Sequence, residues 1–274
     1  MNKTAPILKW AGGKRQLLTQ ILPHIPNDYN RYFEPFLGAG AVLFELQPKR
    51  ATINDTNAEL INVYQVIKDN PDELIKLLKE YDKQHCKDFY YNIRDIDRDS
   101  VKFQKLSEVE KASRTIYLNR TCYNGLYRVN SAGCFNTPMG HNTAIQIVNE
   151  NGIRAINEYL NKYEIRILNT DYREALKRVR KTDFVFLDPP YYPTGKDYFI
   201  RYDSSLFGIE NQEELKKVCD RLTNRGIRFI QTNSCCDGIK KLYEEYRIIE
   251  VDVRRSINTK VEGRKDKEVI ILNY

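Results

Sequence analysis

From residue 164 onward, short apolar runs and amphipathic runs alternate, and this alternation limits the chain's fold more than any other feature. EIRILNT reads as a strand, DYREALKRV as a helix that Asp171 and Glu174 suit as caps, and FVFLDPPY as a strand. The helix NQEELKKVCDRL, the strand IRFIQTN, the helix GIKKLYEEY and the strands YRIIEVDV and EVIILN follow. The same order appears earlier: RYFEPF is a strand, Gly38-Ala39-Gly40 a turn, AVLFEL a helix and ATIND a strand ending at Asp55. Alternation of this kind predicts an α/β fold, a doubly wound and mostly parallel sheet with helices on both faces.

One block breaks the pattern. AELINVYQVI and PDELIKLLKEY carry apolar residues at helical spacing, and Ser107-Glu108-Val109-Glu110 fits a capping box. The helix it opens is expected to end near Asn124-Gly125. We therefore expect residues 1–59 and 163–274 to form one domain and residues 60–162 an inserted, mainly helical one. In doubly wound sheets, ligands bind beyond the carboxyl ends of the strands. The turn after RYFEPF, Asp55, Asp171 and DPPY all fall at such ends, so four elements are expected to converge on one rim.

FVFLDPPYYP needs an explanation of its own. Proline lacks a ladder donor, so two prolines after Phe184-Val185-Phe186-Leu187 account for a strand that stops. They do not account for the acid Asp188 and the ring of Tyr191 on either side of them, nor do they give Tyr192 and Pro193 a task. The glycine turn has a similar double reading. Phe36-Leu37-Gly38-Ala39-Gly40 is either a tight strand-to-helix turn or a place where backbone approaches a ligand closely. Asp55 lies 21 residues after Glu34, a spacing at which an acid commonly takes ribose hydroxyls. A dinucleotide fingerprint wants its third glycine where Leu43 stands, and no triphosphate loop of the G-x-x-x-x-G-K-[ST] type occurs. A nucleoside ligand without a pyrophosphate fits better, and S-adenosylmethionine is such a ligand. Lys9-Trp10-Ala11-Gly12-Gly13-Lys14 sets the only tryptophan beside two glycines and two lysines. It is either a packed turn or a further wall of that pocket, with Lys14 as a charged contact.

Charge placement says more than the net +7. Residues 111–145 hold Lys111, Arg114, Arg120 and Arg128 without one Asp or Glu, interleaved with Tyr117, Tyr123, Tyr127 and Phe135. This is either a solvated basic face or a surface for a polyanion, where cations meet phosphates and rings stack on or wedge between bases. The six cysteines form no C-x-x-C pair and the three histidines are far apart, so neither a metal site nor a disulfide framework is expected. No apolar run approaches bilayer-spanning length. MNKTAPILKWAGGK lacks a signal-peptide core, so a cytoplasmic location without a membrane partner is expected.

KWAGGK, FEPFLGAG, IND, NTD and DPPY, in that order and with a long insertion before NTD, resemble the Dam-type DNA adenine-N6 methyltransferases. The likeness extends from about Leu8 to the last strand. It implies a Rossmann-like methyltransferase sheet, S-adenosylmethionine as cofactor and duplex DNA as partner. Asp188, Pro189, Pro190 and Tyr191 would be catalytic, acting on the amino group of an adenine flipped out of the duplex. Trp10, Lys14, Asp55 and Asp188 would line the cofactor pocket, above a turn formed by Glu34, Phe36, Gly38 and Gly40, with Asp171 near the cofactor's adenine. The run from Tyr123 to Asn130 resembles the recognition hairpin of this family. Arg128 would read a guanine of GATC, Tyr123 and Asn124 would wedge into the space left by the flipped base, and Leu126 and Pro138 would touch base edges. Asn130 and Asn136 would hold phosphates. After Gly140, His141-Asn142 stands where the family leads one to expect basic residues, which puts one backbone anchor in doubt. A monomer is expected. Whether a cognate restriction endonuclease acts on the same site stays open.

Two rivals remain. Methyltransferases acting on RNA or on protein glutamine more often carry Asn-Pro-Pro-Tyr and lack such a basic insertion. A nuclease would need clustered carboxylates with a lysine for metal, whereas only scattered Asp/Glu-x-x-Lys spacings are present. A DNA-binding protein without catalysis would have little use for DPPY.

Overall fold

A computed structural model describes residues 4–141, 145–192, 207–253 and 266–274. Pro193 and Asn142 lie outside them. The fold is mixed α/β, built on a seven-stranded sheet. Its strands are β1 (Tyr32–Glu34), β2 (Arg50–Asn54), β3 (Glu164–Leu168), β4 (Phe184–Leu187), β5 (Arg228–Ser234), β6 (Arg247–Val253) and β7 (Asp266–Leu272). Their order across the sheet is β3-β2-β1-β4-β5-β7-β6. β1 runs parallel to β2 and to β4, and β4 parallel to β5, while β7 is antiparallel to both β5 and β6. The sheet is thus mostly parallel, as the alternation predicts. Strand order reverses between β1 and β4, the point at which doubly wound sheets open a crevice for ligands.

The chain divides into two compact units. The second, residues 14–37, 50–53 and 171–274, contains β1, β4 and the antiparallel end of the sheet. All four residues of β4 are fully buried. Val185 and Leu187 pack with Phe33, Phe229 and Ile271, and with Leu215 and Leu222 of the helix Ile209–Asn224. A strand buried on both faces reads as a continuous apolar run rather than an alternating one, hence FVFL.

The first unit, residues 1–13, 38–49 and 54–170, is mainly helical. Its long helices are Ala58–Asp69, Pro71–Gln84, Glu108–Thr121 and Glu150–Lys162. Leu60, Ile67, Leu74, Leu78, Ile116 and Ile156 are buried along them. The capping box forms as its sequence suggests: Ser107 N donates to Glu110 Oε2 (2.8 Å) and Glu110 N to Ser107 Oγ (3.2 Å). These two units follow other boundaries than 1–59, 60–162 and 163–274. The chain crosses between them within KWAGGK, FLGAG, IND and NTD, and once more between residues 49 and 50.

Three elements are shorter than their sequence suggests. The helix opened at Ser107 stops at Thr121, because Asn124 and Gly125 adopt left-handed backbone (φ 55° and 67°) in a 3-10 turn. DYREALKRV is helical only over Tyr172–Ala175. Beyond it the bonds tighten to Lys177 N→Glu174 O and Val179 N→Leu176 O, which lets Leu176 and Val179 both enter the core. GIKKLYEEY is helical over Asp237–Leu242, where fully buried Tyr243 ends it.

Candidate functional site

In the first unit, the glycine turn is shaped by what packs on it. Gly38 has φ +50°, and a Cβ there would sit 3.3 Å from Trp10 Cδ1, so glycine lets the indole edge lie against the backbone. Gly40 (φ 70°) caps the helix Ala41–Leu46. Leu43, at the position of the missing third glycine, is a fully buried core residue. Asp55 ties the turn together: Oδ2 accepts from Gly38 N (2.9 Å) and Oδ1 from Asn57 N (2.9 Å). Asn57 in turn caps the helix Ala58–Asp69 through Leu60 N (2.9 Å). KWAGGK, FLGAG and IND are therefore brought together, with an acid held rigidly by two backbone amides.

In the second unit, the end of β4 presents Asp188. Its Oδ1 pairs with Lys14 Nζ (2.7 Å) and accepts from Thr232 Oγ1 (2.7 Å), with Lys14 and Thr232 both buried. Lys14 Nζ also lies 4.6 Å from the centroid of the Tyr191 ring, a cation–π distance. The Tyr191 hydroxyl donates to Glu268 Oε2 (2.6 Å). Burial, reinforced by the Asp188 and Glu268 carboxylates, holds the phenol well above its ordinary pKa, so the ring stays neutral. Pro190 O accepts from Gln212 Nε2 (3.0 Å), Gln212 Oε1 accepts from Asn233 Nδ2 (2.9 Å), and Asn233 Oδ1 accepts from Tyr192 N (3.2 Å). Gln212 and Asn233 are fully buried, so the loop after β4 is clamped on both sides of Tyr191, at Pro190 O and at Tyr192 N. Tyr192, without a task in the sequence, is held by this clamp, and its ring packs on the core.

The remaining residues expected near the cofactor are also in this unit. Glu34, buried at the end of β1, accepts from the Tyr32 hydroxyl (2.8 Å). Phe36 packs on Tyr172 (centroids 5.0 Å apart) and edge-on to Phe207 (6.1 Å). Asp171 caps the turn at Tyr172–Ala175 by accepting from Arg173 N (2.8 Å), and its ion pair with the Arg173 side chain lowers its carboxyl pKa.

The basic-aromatic stretch folds back on itself in the first unit. Bridges between Cys122 and Met139 and between Val129 and Phe135 make it an antiparallel hairpin. Tyr123 and Leu126 are exposed, and Asn124 holds the left-handed turn between them. Arg128 is held by Asn136, its Nε donating to Oδ1 at 2.7 Å. Asn130 Oδ1 accepts from Ala132 N (3.1 Å) and Cys134 N (2.9 Å) across the hairpin tip. Pro138 O accepts from Tyr123 N (2.9 Å). Both asparagine oxygens thus shape the hairpin. Beneath it, buried Arg114 pairs with Asp97 (2.7 Å), whose Oδ2 also accepts from Phe135 N (2.7 Å). His141 is exposed.

Sequence reasoning missed Thr232, Glu268, Gln212 and Asn233. The register of β4 with β5 and of β5 with β7 brings Thr232, Asn233 and Glu268 to the DPPY loop, and the packing of the helix Ile209–Asn224 brings Gln212; single-sequence periodicity carries no such information. Among the described residues no group of three or more His, Cys, Asp or Glu side chains could hold a metal ion, and no helix is long and apolar enough to cross a membrane.

The comparisons with known proteins agree with this geometry. The family model of the D12 class N6 adenine-specific DNA methyltransferases matches residues 10–257. The chain is 41% identical to the Type II methyltransferase M1.LlaDCHI of Lactococcus lactis subsp. cremoris, over 98% of this chain and 95% of that one. It is 38% identical to the Type II methyltransferase M.MjaIII of Methanocaldococcus jannaschii, over 98% and 99%. With the DNA adenine methylase of Escherichia coli K12 it shares 30% identity over 100% and 96%. An acid-proline-proline-tyrosine loop at the end of a buried central strand, in a chain matched along nearly all its length, identifies the protein as an enzyme of the D12 class N6 adenine-specific DNA methyltransferase family.

Proposed function

We propose that the protein transfers the methyl group of S-adenosylmethionine to the N6 amino group of an adenine flipped out of duplex DNA, within the sequence GATC. The observation that carries this reading is the end of β4. Adenine's amino nitrogen is a poor nucleophile because its lone pair is delocalised into the ring. Two acceptors on its two hydrogens draw it toward a pyramidal, more nucleophilic form. Lys14 and Thr232 both address Oδ1 of Asp188, which supports a reading in which the carboxylate is oriented by them and Oδ2 accepts from the substrate. The carbonyl of Pro189 is the second acceptor, fixed by successive prolines and by the Gln212 bond to the next carbonyl. Tyr191 stacks on the base with the ring face opposite Lys14. Its hydroxyl is anchored on Glu268, so the ring is placed before the base arrives.

The residues of the glycine turn fit the cofactor. Bound there, S-adenosylmethionine supplies an electrophilic methyl group. Asp55, already aligned by Gly38 and Asn57, takes the ribose hydroxyls. The backbone at Gly38, bare of a Cβ, lets Trp10 close over the turn, and Trp10 is a wall of the ligand's pocket in this reading. Leu43 in place of a third glycine is consistent with a ligand that has no pyrophosphate. Trp10, Lys14, Glu34, Phe36, Gly40, Asp171 and Asp188 complete the cofactor residues, and holding the two reactants in line supplies much of the barrier reduction. Residues 60–162 act as the target-recognition domain in this reading. Arg128 reads guanine, Tyr123 and Asn124 fill the gap left by the flipped base, and Leu126 and Pro138 touch base edges. Asn130 and Asn136 hold phosphates through the groups not spent within the hairpin. GATC follows from the recognition hairpin's resemblance to that of the Dam-type enzymes. The Type II relatives support a role beside a restriction endonuclease of the same site. A cytoplasmic location and a monomeric state belong to the same proposal.

Tritiated S-adenosylmethionine incubated with duplexes that contain or lack GATC tests the reading. Label is expected in N6-methyladenine of the GATC duplex only. Label independent of GATC would overturn the specificity, and label in RNA or protein but not DNA would overturn the substrate.

A further inference from the structure

Two side chains of the first unit connect segments that the proposed function treats separately. Tyr127 sits next to Arg128 in the outgoing arm of the hairpin, and successive side chains of an extended strand point to opposite faces. Arg128 is accordingly exposed while Tyr127 turns inward. Its ring stacks on Trp10, with centroids 4.8 Å apart and planes 28° from parallel. This is the same indole that covers Gly38. The other end of Tyr127 lies beside Asn57 and Glu59, at the start of the helix that follows Asp55. Burial and the Glu59 carboxylate push its phenol up. Across the hairpin, Tyr127 meets Phe135 edge-on at 5.7 Å. Phe135 N is held by Asp97, and Asp97 by buried Arg114, which also reaches Glu59 at 3.5 Å.

The second connection is Asn119, fully buried on the helix Glu108–Thr121. Its Oδ1 accepts from Lys9 N (2.9 Å), and its Nδ2 donates to Lys9 O (2.7 Å) and to Gly125 O (3.2 Å). One carboxamide thereby fixes the backbone beside Trp10 and the turn that opens the hairpin. Gly125 (φ +67°) is pressed so closely on Lys9 that a Cβ would come within 2.5 Å of the lysine stem. The backbone next to Trp10 and the turn that leads to Tyr127 and Arg128 are thus held on one side chain, while the Trp10–Tyr127 stack joins the two rings directly.

We propose that Tyr127 is a positioning residue that couples cofactor binding to base reading, transmitting the placement of Trp10 to the hairpin arm that carries Arg128. This rests on the proposed cofactor and recognition roles of Trp10 and Arg128 and goes beyond them, because Tyr127 itself touches neither ligand in that reading. A coupling free energy acts equally in both directions. GATC duplex must tighten the cofactor product, S-adenosylhomocysteine, by the same factor by which the product tightens GATC duplex. The aromatic stack is the element both ligands bias.

The test is the dissociation constant of S-adenosylhomocysteine, by calorimetry on the full chain, with and without saturating GATC duplex. For the unaltered protein the ratio is expected to be at least about fivefold, within the usual range of such couplings. Tyr127→Phe keeps the stack and is expected to keep most of the ratio. Tyr127→Leu is expected to bring the ratio close to one while the product still binds in the absence of DNA. Tyr127→Met, which fills the volume without a ring face, replaces the leucine variant should that one lose its folded circular-dichroism spectrum. An undiminished ratio in the ring-less variant, or a ratio of one in the unaltered protein, would overturn the coupling and leave the enzyme reading intact. If no variant nor the unaltered protein binds the product at all, the cofactor reading itself fails.

Discussion

Thr232 offers a sharp test of how the site is organised, because it touches the proposed catalytic carboxylate and has no cofactor-binding or base-contacting role of its own in this reading. It is fully buried on β5, and its hydroxyl donates to Asp188 Oδ1 at 2.7 Å, the same oxygen that Lys14 holds. Thr232→Val removes that donor at nearly constant volume. A hydrogen bond to a charged group contributes about 1.5–3 kcal/mol, and about 1.4 kcal/mol corresponds to a factor of ten. The full bond would therefore be worth about ten- to a hundredfold or slightly more. Lys14 still holds the same oxygen at 2.7 Å, so the carboxylate remains charged and partly oriented. We expect kcat to fall toward the lower end of that range, about tenfold. The KM for S-adenosylmethionine should change little, because Thr232 contributes nothing to its binding. Thr232→Ser, which restores a hydroxyl, should recover most of the rate. The assay is single-turnover methyl transfer to GATC duplex with saturating cofactor. Equal rates for the valine and serine variants would refute a positioning role for the hydroxyl, as would a valine variant with unchanged kcat.

Other parts of the molecule allow equally direct checks. Arg128→Ala should cost about 1–3 kcal/mol of discrimination at one guanine, read as the ratio of kcat/KM on GATC and on a duplex substituted there; an unchanged ratio would place the reader elsewhere. Arg114→Leu strands the buried Asp97 carboxylate and should lower stability by about 3–5 kcal/mol, and an unchanged melting temperature would contradict the ion pair's role under the hairpin. Gly38→Ala puts a Cβ at φ +50° and 3.3 Å from Trp10. By displacing Trp10 it should weaken cofactor binding in titrations without DNA, and retained affinity would exclude the packing of Trp10 on that turn from a role in the cofactor pocket.

The parallel part of the sheet was legible because each strand there announces itself. FVFL is apolar without interruption since both faces are covered, and the glycine turn after RYFEPF marks where the chain leaves the strand. The chemistry-bearing residues were legible for a related reason, since Asp55 and Asp188 directly follow strand ends and Asp171 lies three residues beyond one. Their partners were not legible. Thr232 meets Asp188 only because Leu187 pairs in register with Gln231, and Glu268 follows from Ser234 opposite it on β7. Such contacts depend on three-dimensional pairing that local pattern does not encode. Helix ends were misjudged where tertiary packing overrode propensity. Tyr243 is drawn into the core and ends its helix early, and Asn119 pulls Gly125 O inward so that the chain turns after Thr121. The compact units cut through KWAGGK, FLGAG, IND and NTD, which composition and helical periodicity alone could not have revealed.

The central claim is that the end of β4 delivers two acceptors to an adenine amino group, with Asp188 as the charged one. Asp188→Ala, mixed with S-adenosylmethionine and GATC duplex in a single-turnover experiment, tests it most directly when binding of each ligand is measured alongside. The account predicts that both ligands still bind and that no methyl group reaches the DNA. Near-normal transfer by that variant would contradict it.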